Sequence, residues 1–203
     1  MYKNIKYSFF FDLDGTVTAQ EILPEIAKTV GLYEQINELT QLTISGKIPF
    51  VESFLSRVEI FRNIKISDVK NVVENIKLNE NIVSFIQENK ESCFIITGNL
   101  DVWVSSLCDR IGCRYFTSKA LLSEDGDYVK GVNYVLNKAH IANSFASPYV
   151  AIGDGNNDAE MVRFANIGIA YGGVHMPAVS VMDCASHAIF QEDKLCQFLK
   201  QLL

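Results

Sequence analysis

The chain has 203 residues, 48% of them hydrophobic, and a formal charge of -6. That length buries one sizeable core and leaves room for a modest inserted subdomain. No block of Lys or Arg supplies the positive footprint that a nucleic acid or a membrane surface requires, so neither is an expected partner, whereas a small anionic substrate needs only a local cation or a helix N-terminus.

The five cysteines, Cys93, Cys108, Cys113, Cys184 and Cys196, are odd in number and form no C-x-x-C pair. They read as reduced, mostly buried thiols. The opening Met1 to Lys6 leads into a short apolar run that ends at Asp12 and Asp14, too short and too acidic for a signal peptide. No stretch approaches the roughly 18 apolar residues of a spanning helix. A cytoplasmic location is the expectation.

In chain order, Tyr7 to Phe11 is an apolar, aromatic run closed by Asp12, the pattern of a strand buried on both faces. The runs Cys93 to Ile96 and Tyr149 to Ile152 are similar, and stop at Thr97-Gly98-Asn99 and Gly153-Asp154-Gly155. Helical periodicity lies between them, as in Ile82, Phe85, Ile86 and Asn89, or Val102, Leu107 and Ile111. This alternation predicts an α/β fold with a doubly wound parallel sheet, whose ligands bind beyond the carboxyl ends of the strands. Residues 18–77 carry several amphipathic helical stretches and no strand pattern, and read as a small helical cap inserted into a core formed by 1–17 and 78–203. Lys119 to Val135, with Glu124-Asp125-Gly126-Asp127 at its middle, reads as a hairpin.

Four groups of residues carry chemistry. In Asp12-Leu13-Asp14-Gly15-Thr16, two carboxylates leave the end of a buried strand two residues apart, on one side, and Gly15 permits a sharp exit. One can serve as a nucleophile toward phosphorus and the other as a proton donor, although a helix-capping Asp in an ordinary turn gives the same short pattern. Gly153-Asp154-Gly155-Asn156-Asn157-Asp158 gathers two more carboxylates and two amides. An EF-hand loop competes there, but Ala159 stands where that loop needs Gly and Ala165 where it needs Glu, so a Mg²⁺ held by one or two carboxylates and the substrate phosphate fits better. Thr97-Gly98-Asn99 offers a hydroxyl and backbone N–H groups at a helix start, suited to a phosphate oxygen. Lys138, at the start of another helical stretch, can neutralise charge that develops on a phosphoryl group. Taken alone, such a Thr is usually a cap and such a Lys usually a solvated side chain. The three histidines, His140, His175 and His187, lack metal-ligand spacing and read as structural or surface residues, and Trp103 reads as core.

In order and spacing these four groups resemble the motifs of the haloacid dehalogenase superfamily, across nearly the whole chain. The resemblance implies that Asp12 is the nucleophile and Asp14 the general acid and base, with Mg²⁺ at the Asp12 side chain, the Asp14 carbonyl and Asp154. Asp158 would orient the metal's water shell and Lys138, while Thr97, Gly98, Asn99 and Asn157 would face the substrate. It also implies phosphoryl chemistry, given the second Asp at position 14. Within the cap, the stretch from Glu21 to Gly31 and then Thr40, Gly46, Phe50, Ser53, Leu55, Arg57 and Val58 looks like that of phosphoserine phosphatases. There a Glu and an Arg hold the substrate's amino and carboxylate groups, and Glu21 and Arg57 fall on those positions. An amino acid, being a zwitterion, needs one partner of each sign. The chain departs from that family in having Ile44 for its usual Met, and Thr97-Gly98-Asn99 for Ser-Gly-Gly. The expected function is therefore a Mg²⁺-dependent phosphomonoesterase working through a phosphoaspartyl intermediate on a small phosphorylated metabolite, phosphoserine above all. The alternatives are another phosphometabolite, transfer to an alcohol other than water, or a non-catalytic binding protein of the same fold.

Overall fold

The computed structural model describes residues 6–203. The opening segment read above against a signal peptide lies, up to residue 5, outside the described residues. A seven-stranded sheet has the order β4-β3-β2-β1-β5-β6-β7. Its strands are β1 (Ser8–Phe11), β2 (Cys93–Leu100), β3 (Arg114–Leu122), β4 (Val129–Tyr134), β5 (Tyr149–Gly153), β6 (Ile167–Tyr171) and β7 (His187–Ile189). All neighbours run parallel except β3 and β4, which form the expected hairpin. The chain builds outward from β1 through β2 to the hairpin, then returns to place β5 against the other side of β1. The switch in direction falls beside β1, where α/β sheets open a ligand crevice at the carboxyl ends of their strands.

The two-residue period of β1 divides the core. Phe9 and Phe11 belong to one apolar layer with Ile95, Val150, Ile152 and Trp103, while Phe10 points to the opposite layer with Phe94, Ala151, Met161 and Val181. The first layer also packs α5 (Glu80–Glu88), α6 (Asp101–Ile111) and α10 (Glu192–Leu199); the second packs α7 (Lys138–Asn143), α8 (Ala159–Phe164) and α9 (Val179–Met182). Trp103 is core, as expected, and three of the five unpaired cysteines, Cys93, Cys108 and Cys196, are buried. None of the helices among the described residues is long and apolar enough to cross a membrane.

Between β1 and β2 lie α1 (Ile22–Thr29), α2 (Tyr33–Ile44), α3 (Phe50–Ile60) and α4 (Ile66–Val73). A bridge between Thr18 and Leu78 closes the root of this helical insertion, and another joins Lys65 to Tyr128 on the hairpin. The insertion shares the first apolar layer through Ile22, Ile26, Phe54 and Phe61, with the Phe61 ring edge-on to Trp103. Thr97-Gly98-Asn99 differs from the sequence reading: it does not start a helix, because α6 begins only at Asp101. Ile96 pairs with Phe116, but the next β2 residue in register is Leu100, opposite Ser118, so Thr97 to Asn99 bulge from the ladder. The Ser118 hydroxyl donates to the Gly98 carbonyl (2.7 Å) and holds the bulge.

Phe10, fully buried among the rings of Phe94, Phe145 and Tyr149, anchors the strand that delivers Asp12. Phe10→Ala is expected to cost about 3–5 kcal/mol of unfolding free energy in urea titration; a cost below about 1 kcal/mol would mean that the second layer does not fix β1.

Candidate active site

Asp12 leaves β1 in extended backbone, and its N–H donates to the Ile152 carbonyl (2.9 Å), so the pairing of β1 with β5 fixes where its side chain begins. Gly15, the residue after Asp14, turns the chain at φ 73. A Cβ there would stand 3.0 Å from Glu21 Oε1 and 3.3 Å from Asp154 Oδ2, so glycine is required for conformation and for space. At the end of β5, Asp158 is fully buried and its Oδ2 accepts the N–H groups of Gly155 (2.9 Å) and Asp154 (3.3 Å). The other Asp158 oxygen faces Lys138 Nζ at 2.6 Å, and the same ammonium donates to Asp12 Oδ1.

Lys138, the first residue of α7, is thus buried between two carboxylates, not solvated. Burial alone would discharge it, but Asp12 and Asp158 outweigh that cost and raise its pKa above the ordinary lysine value. Asp12 is pushed well above the carboxylate range, chiefly by burial, with Lys138 pulling the other way and Asp158, Asp154 and Asp14 adding repulsion. Asp154 is also raised, again chiefly by burial; its Oδ1 accepts the Thr16 hydroxyl (3.0 Å).

Asp12, Asp154 and Asp158 bring one carboxylate oxygen each within 4.8 Å of one another. An all-oxygen donor set suits a hard divalent cation, and a bound cation would offset the repulsion that raises Asp12 and Asp154. The Asp14 side chain belongs to another network. It receives the Thr97 hydroxyl (3.3 Å), the Asn99 amide (3.4 and 3.5 Å) and the Ile22 N–H (3.4 Å) at the start of α1, so it also serves that helix N-terminus. Burial first, then Glu21, lifts its pKa to about 6. Thr97, expected to face a phosphate, spends its hydroxyl on Asp14, and the pocket wall is made instead by Gly98 and Asn99.

The pocket, about 80 Å³, lies between the strand ends and the insertion. Asp12, Asp14 and Asp154 line its floor, Asn157 and Gly155 one wall, and Glu21, Thr43, Ile44, Phe50 and Arg57 its upper side. Gly98 allows this closure, since a Cβ on it would meet Phe50 Cζ at 2.5 Å. Arg57 is 6% exposed, and its Nε donates to the Ser53 carbonyl (3.4 Å). Burial lowers its pKa from the usual value, and Glu21 and Asp14 resist the shift. No carboxylate among the described residues reaches ion-pair distance of it, so Arg57 and Glu21 line one pocket without pairing.

One reading from sequence is overturned. His140 and His187 are exposed, as expected, but His175 is a site residue: its Nε2 stands 3.0 Å from Asp154 Oδ2 and 3.1 Å from Glu21 Oε1. Its Nδ1 lies 2.9 Å from the Met176 carbonyl. Carbonyl and ionised carboxylate oxygens only accept, so both ring nitrogens carry protons, and the Asp154 and Glu21 contacts lift its pKa to about 11. Spacing could not reveal this, because its partners lie far away in sequence. The loop 172–177 after β6 folds back over the site, a return that no spacing encodes. Asn156 was also missed as a site residue, although it lies within Gly153-Asp154-Gly155-Asn156-Asn157-Asp158: its amide reaches across to the insertion.

Fold and site together define a haloacid dehalogenase-like hydrolase. Residues 8–166 match the model of that family, and the chain belongs to it. Its relatives include a phosphoserine phosphatase of Archaeoglobus fulgidus, 29% identical over 175 residues, and one of Methanocaldococcus jannaschii, 27% identical over 180. The matches cover 79% and 82% of this chain; the first spans only 51% of its relative's length, the second 85%. Among solved structures, a substrate-bound phosphoserine phosphatase superposes with a TM-score of 0.82 at 24% identity over 97% of this chain and 98% of that one. A phosphoserine phosphatase solved as an analogue of its phospho-aspartyl intermediate superposes at 0.81, also at 24% identity, over 97% and 99%. At that identity the likeness is one of fold.

The raised Asp14 pKa makes a stability statement. Folded Asp14 keeps its proton up to about pH 6, while an unfolded Asp loses it near 3.8, so rising pH removes stability across that window. His175, with a folded pKa of about 11 against 6.5 unfolded, is protonated in both states below about pH 5.5 and adds slope only above that. In metal-free protein, Asp14→Asn is therefore expected to make the pH dependence of Tm between about 4 and 5.5 less negative than in the parent; an unchanged slope would show that Asp14 titrates normally.

Proposed function

We propose that the protein is a Mg²⁺-dependent phosphomonoesterase that forms a phosphoaspartyl intermediate on Asp12, with phosphoserine as the best-supported substrate and residues 18–77 as its cap. The observation that carries the reading is Lys138, buried between Asp12 and Asp158 beside Asp154 at the carboxyl ends of β1 and β5. A buried cation that holds one oxygen of a carboxylate leaves the other free to attack phosphorus, and limits the charge that the incoming phosphate meets. The phosphoserine phosphatases among the relatives support the substrate. The Arg57 guanidinium and the Glu21 carboxylate across one small pocket suit a zwitterion.

Asp12 Oδ2 forms the new bond to phosphorus as the ester P–O bond breaks. Asp14, protonated up to about pH 6, gives its proton to the leaving alkoxide, then takes one from the water that hydrolyses the acyl phosphate and regenerates Asp12. Asn99 and Thr97 hold Asp14 in reach of the leaving oxygen. Lys138 holds Asp12 and faces the charge that builds on the phosphoryl group. Mg²⁺ bound at Asp12, the Asp14 carbonyl and Asp154, with Asp158 behind, would screen the phosphate dianion from these carboxylates and polarise the phosphoryl oxygens. Asn157 and Gly98 are assigned to the substrate phosphate, as wall residues of the pocket.

Asp12→Asn is expected to lower kcat by several orders of magnitude with an unchanged fold, since an amide cannot form the acyl phosphate. Phosphate release should also stop with chelator and return with Mg²⁺, while Ca²⁺ substitutes poorly because of its looser coordination. An active Asp12→Asn protein, or full turnover without metal, would overturn the mechanism. For the substrate, Arg57→Ala is expected to cost about 2–5 kcal/mol of transition-state stabilisation toward phosphoserine and little toward an aryl phosphate, read as kcat/KM for each. Equal losses on both would give Arg57 a structural role only.

A further inference from the structure

Helix α2 ends at Ile44, above the pocket, where its last carbonyls look beyond the helix for partners; that of Thr43 accepts the Gly46 N–H at 3.0 Å. The side chain that meets them comes from the core. Asn156 Nδ2 donates to the Thr43 carbonyl at 2.6 Å and to the Ile44 carbonyl at 3.3 Å. Its Oδ1 accepts the Ser180 hydroxyl at 2.6 Å, from α9. These contacts fix the amide's orientation, because carbonyl oxygens only accept and must face the NH2 group. Gly46, in the turn after α2, runs alongside: a Cβ there would lie 3.9 Å from both Asn156 side-chain polar atoms. Asn156 stands in the loop between Asp154 and Asp158, and Thr43, Ile44 and Asn156 all line the pocket. One amide thus joins the carboxylate-bearing loop, α9 and the tip of the insertion.

We propose that Asn156 is a positioning residue that latches the tip of the helical insertion to the Gly153–Asp158 loop, so that closure over a substrate and the placement of the carboxylates are set by one side chain. The root of the insertion is tied by the Thr18–Leu78 bridge. The tip needs a separate bond, one weak enough to break when substrate enters and product leaves. Two neutral hydrogen bonds to carbonyls, backed by a hydroxyl, have that character; a buried ion pair would not. The latch also explains why the polar Asn156 faces the insertion while its neighbour Asn157 faces the pocket wall. The kinetic consequence rests on the phosphatase reading, but the conformational one does not.

Asn156→Asp provides the test, because it keeps the shape and the acceptor for Ser180 but turns an anionic oxygen toward two carbonyls. Hydrogen exchange on the full chain is expected to speed up about tenfold or more over 43–48, with 154–158 unchanged. With Mg²⁺, kcat/KM for phosphoserine should fall about tenfold, mostly through KM, and for p-nitrophenyl phosphate less than about threefold. Ser180→Ala, which leaves Asn156 in place but unsupported, should move both readouts in the same direction by a smaller factor. Unchanged protection over 43–48 in Asn156→Asp would overturn the latch. So would faster exchange confined to 154–158 with a higher Mg²⁺ requirement, which would assign Asn156 to the metal loop alone. If the parent protein does not hydrolyse phosphoserine, the substrate reading fails, and the exchange measurement still decides the latch.

Discussion

Crowded negative charge around one buried lysine is the constraint on which the rest of this structure depends. Asp12, Asp154 and Asp158 converge at the ends of two adjacent strands, with Asp14 and Glu21 close by, and Lys138 is the cation that binds two of them directly. Desolvation raises Asp12, Asp14 and Asp154, so the folded chain holds groups that water would stabilise better. Such a site persists only where the scaffold fixes it. The ring cluster around Phe10 fixes β1, backbone N–H groups fix Asp158, and the Ser118 hydroxyl fixes the bulge that presents Asn99. The stability lost at these carboxylates is what a bound cation would recover, by offsetting the repulsion among them.

Much of this was legible in the sequence. Phe9-Phe10-Phe11 before Asp12 names a strand buried on both faces and marks its carboxyl end, and Tyr149 to Gly153 before Asp154 does the same. Two such runs in an alternating chain place their acids side by side, because parallel strands share a direction. Lys138 was legible as a cation at a helix start, and burial between Asp12 and Asp158 removes its alternative as a solvated side chain. What stayed hidden was every relation that crosses the pocket. His175 meets Glu21 and Asp154 only because the loop after β6 folds back, and neither a period nor a spacing encodes that return. Thr97-Gly98-Asn99 misled for a related reason: a polar Gly-containing segment after an apolar run marks a helix start or a bulge equally well, and the pairing of Leu100 with Ser118 decides between them.

His175 alters how the cap's charges are understood. From sequence, Glu21 and Arg57 are a matched pair awaiting a zwitterion. In the structure Glu21 already has a cationic partner in His175, while Arg57 has no ion-pair partner among the described residues. The two halves of the pocket are therefore unequal: a substrate carboxylate meets a buried guanidinium without a competitor, whereas an ammonium shares Glu21 with an imidazolium. His175 also touches Asp154, so Glu21 and a carboxylate of the acidic cluster are held by the same ring.

This arrangement makes the turn after β1 more than an exit from a strand. Asp12, Asp14 and Gly15 lie within four residues. Gly15 gives up its Cβ so that Glu21 and Asp154 can approach each other above it, and the Asp14 carboxylate accepts the first N–H of α1. The helical insertion thus begins on the catalytic turn itself. A shift of α1 must be felt by Asp14 through that hydrogen bond, and by Asp154 through Glu21 and His175. At the far end the insertion rests on Asn156, from the loop that carries Asp154 and Asp158. Besides its bridges at Thr18–Leu78 and Lys65–Tyr128, the insertion is thus tied to both carboxylate loops, through Asp14 and through Asn156, so any displacement of it over the pocket would move contacts to both loops at once.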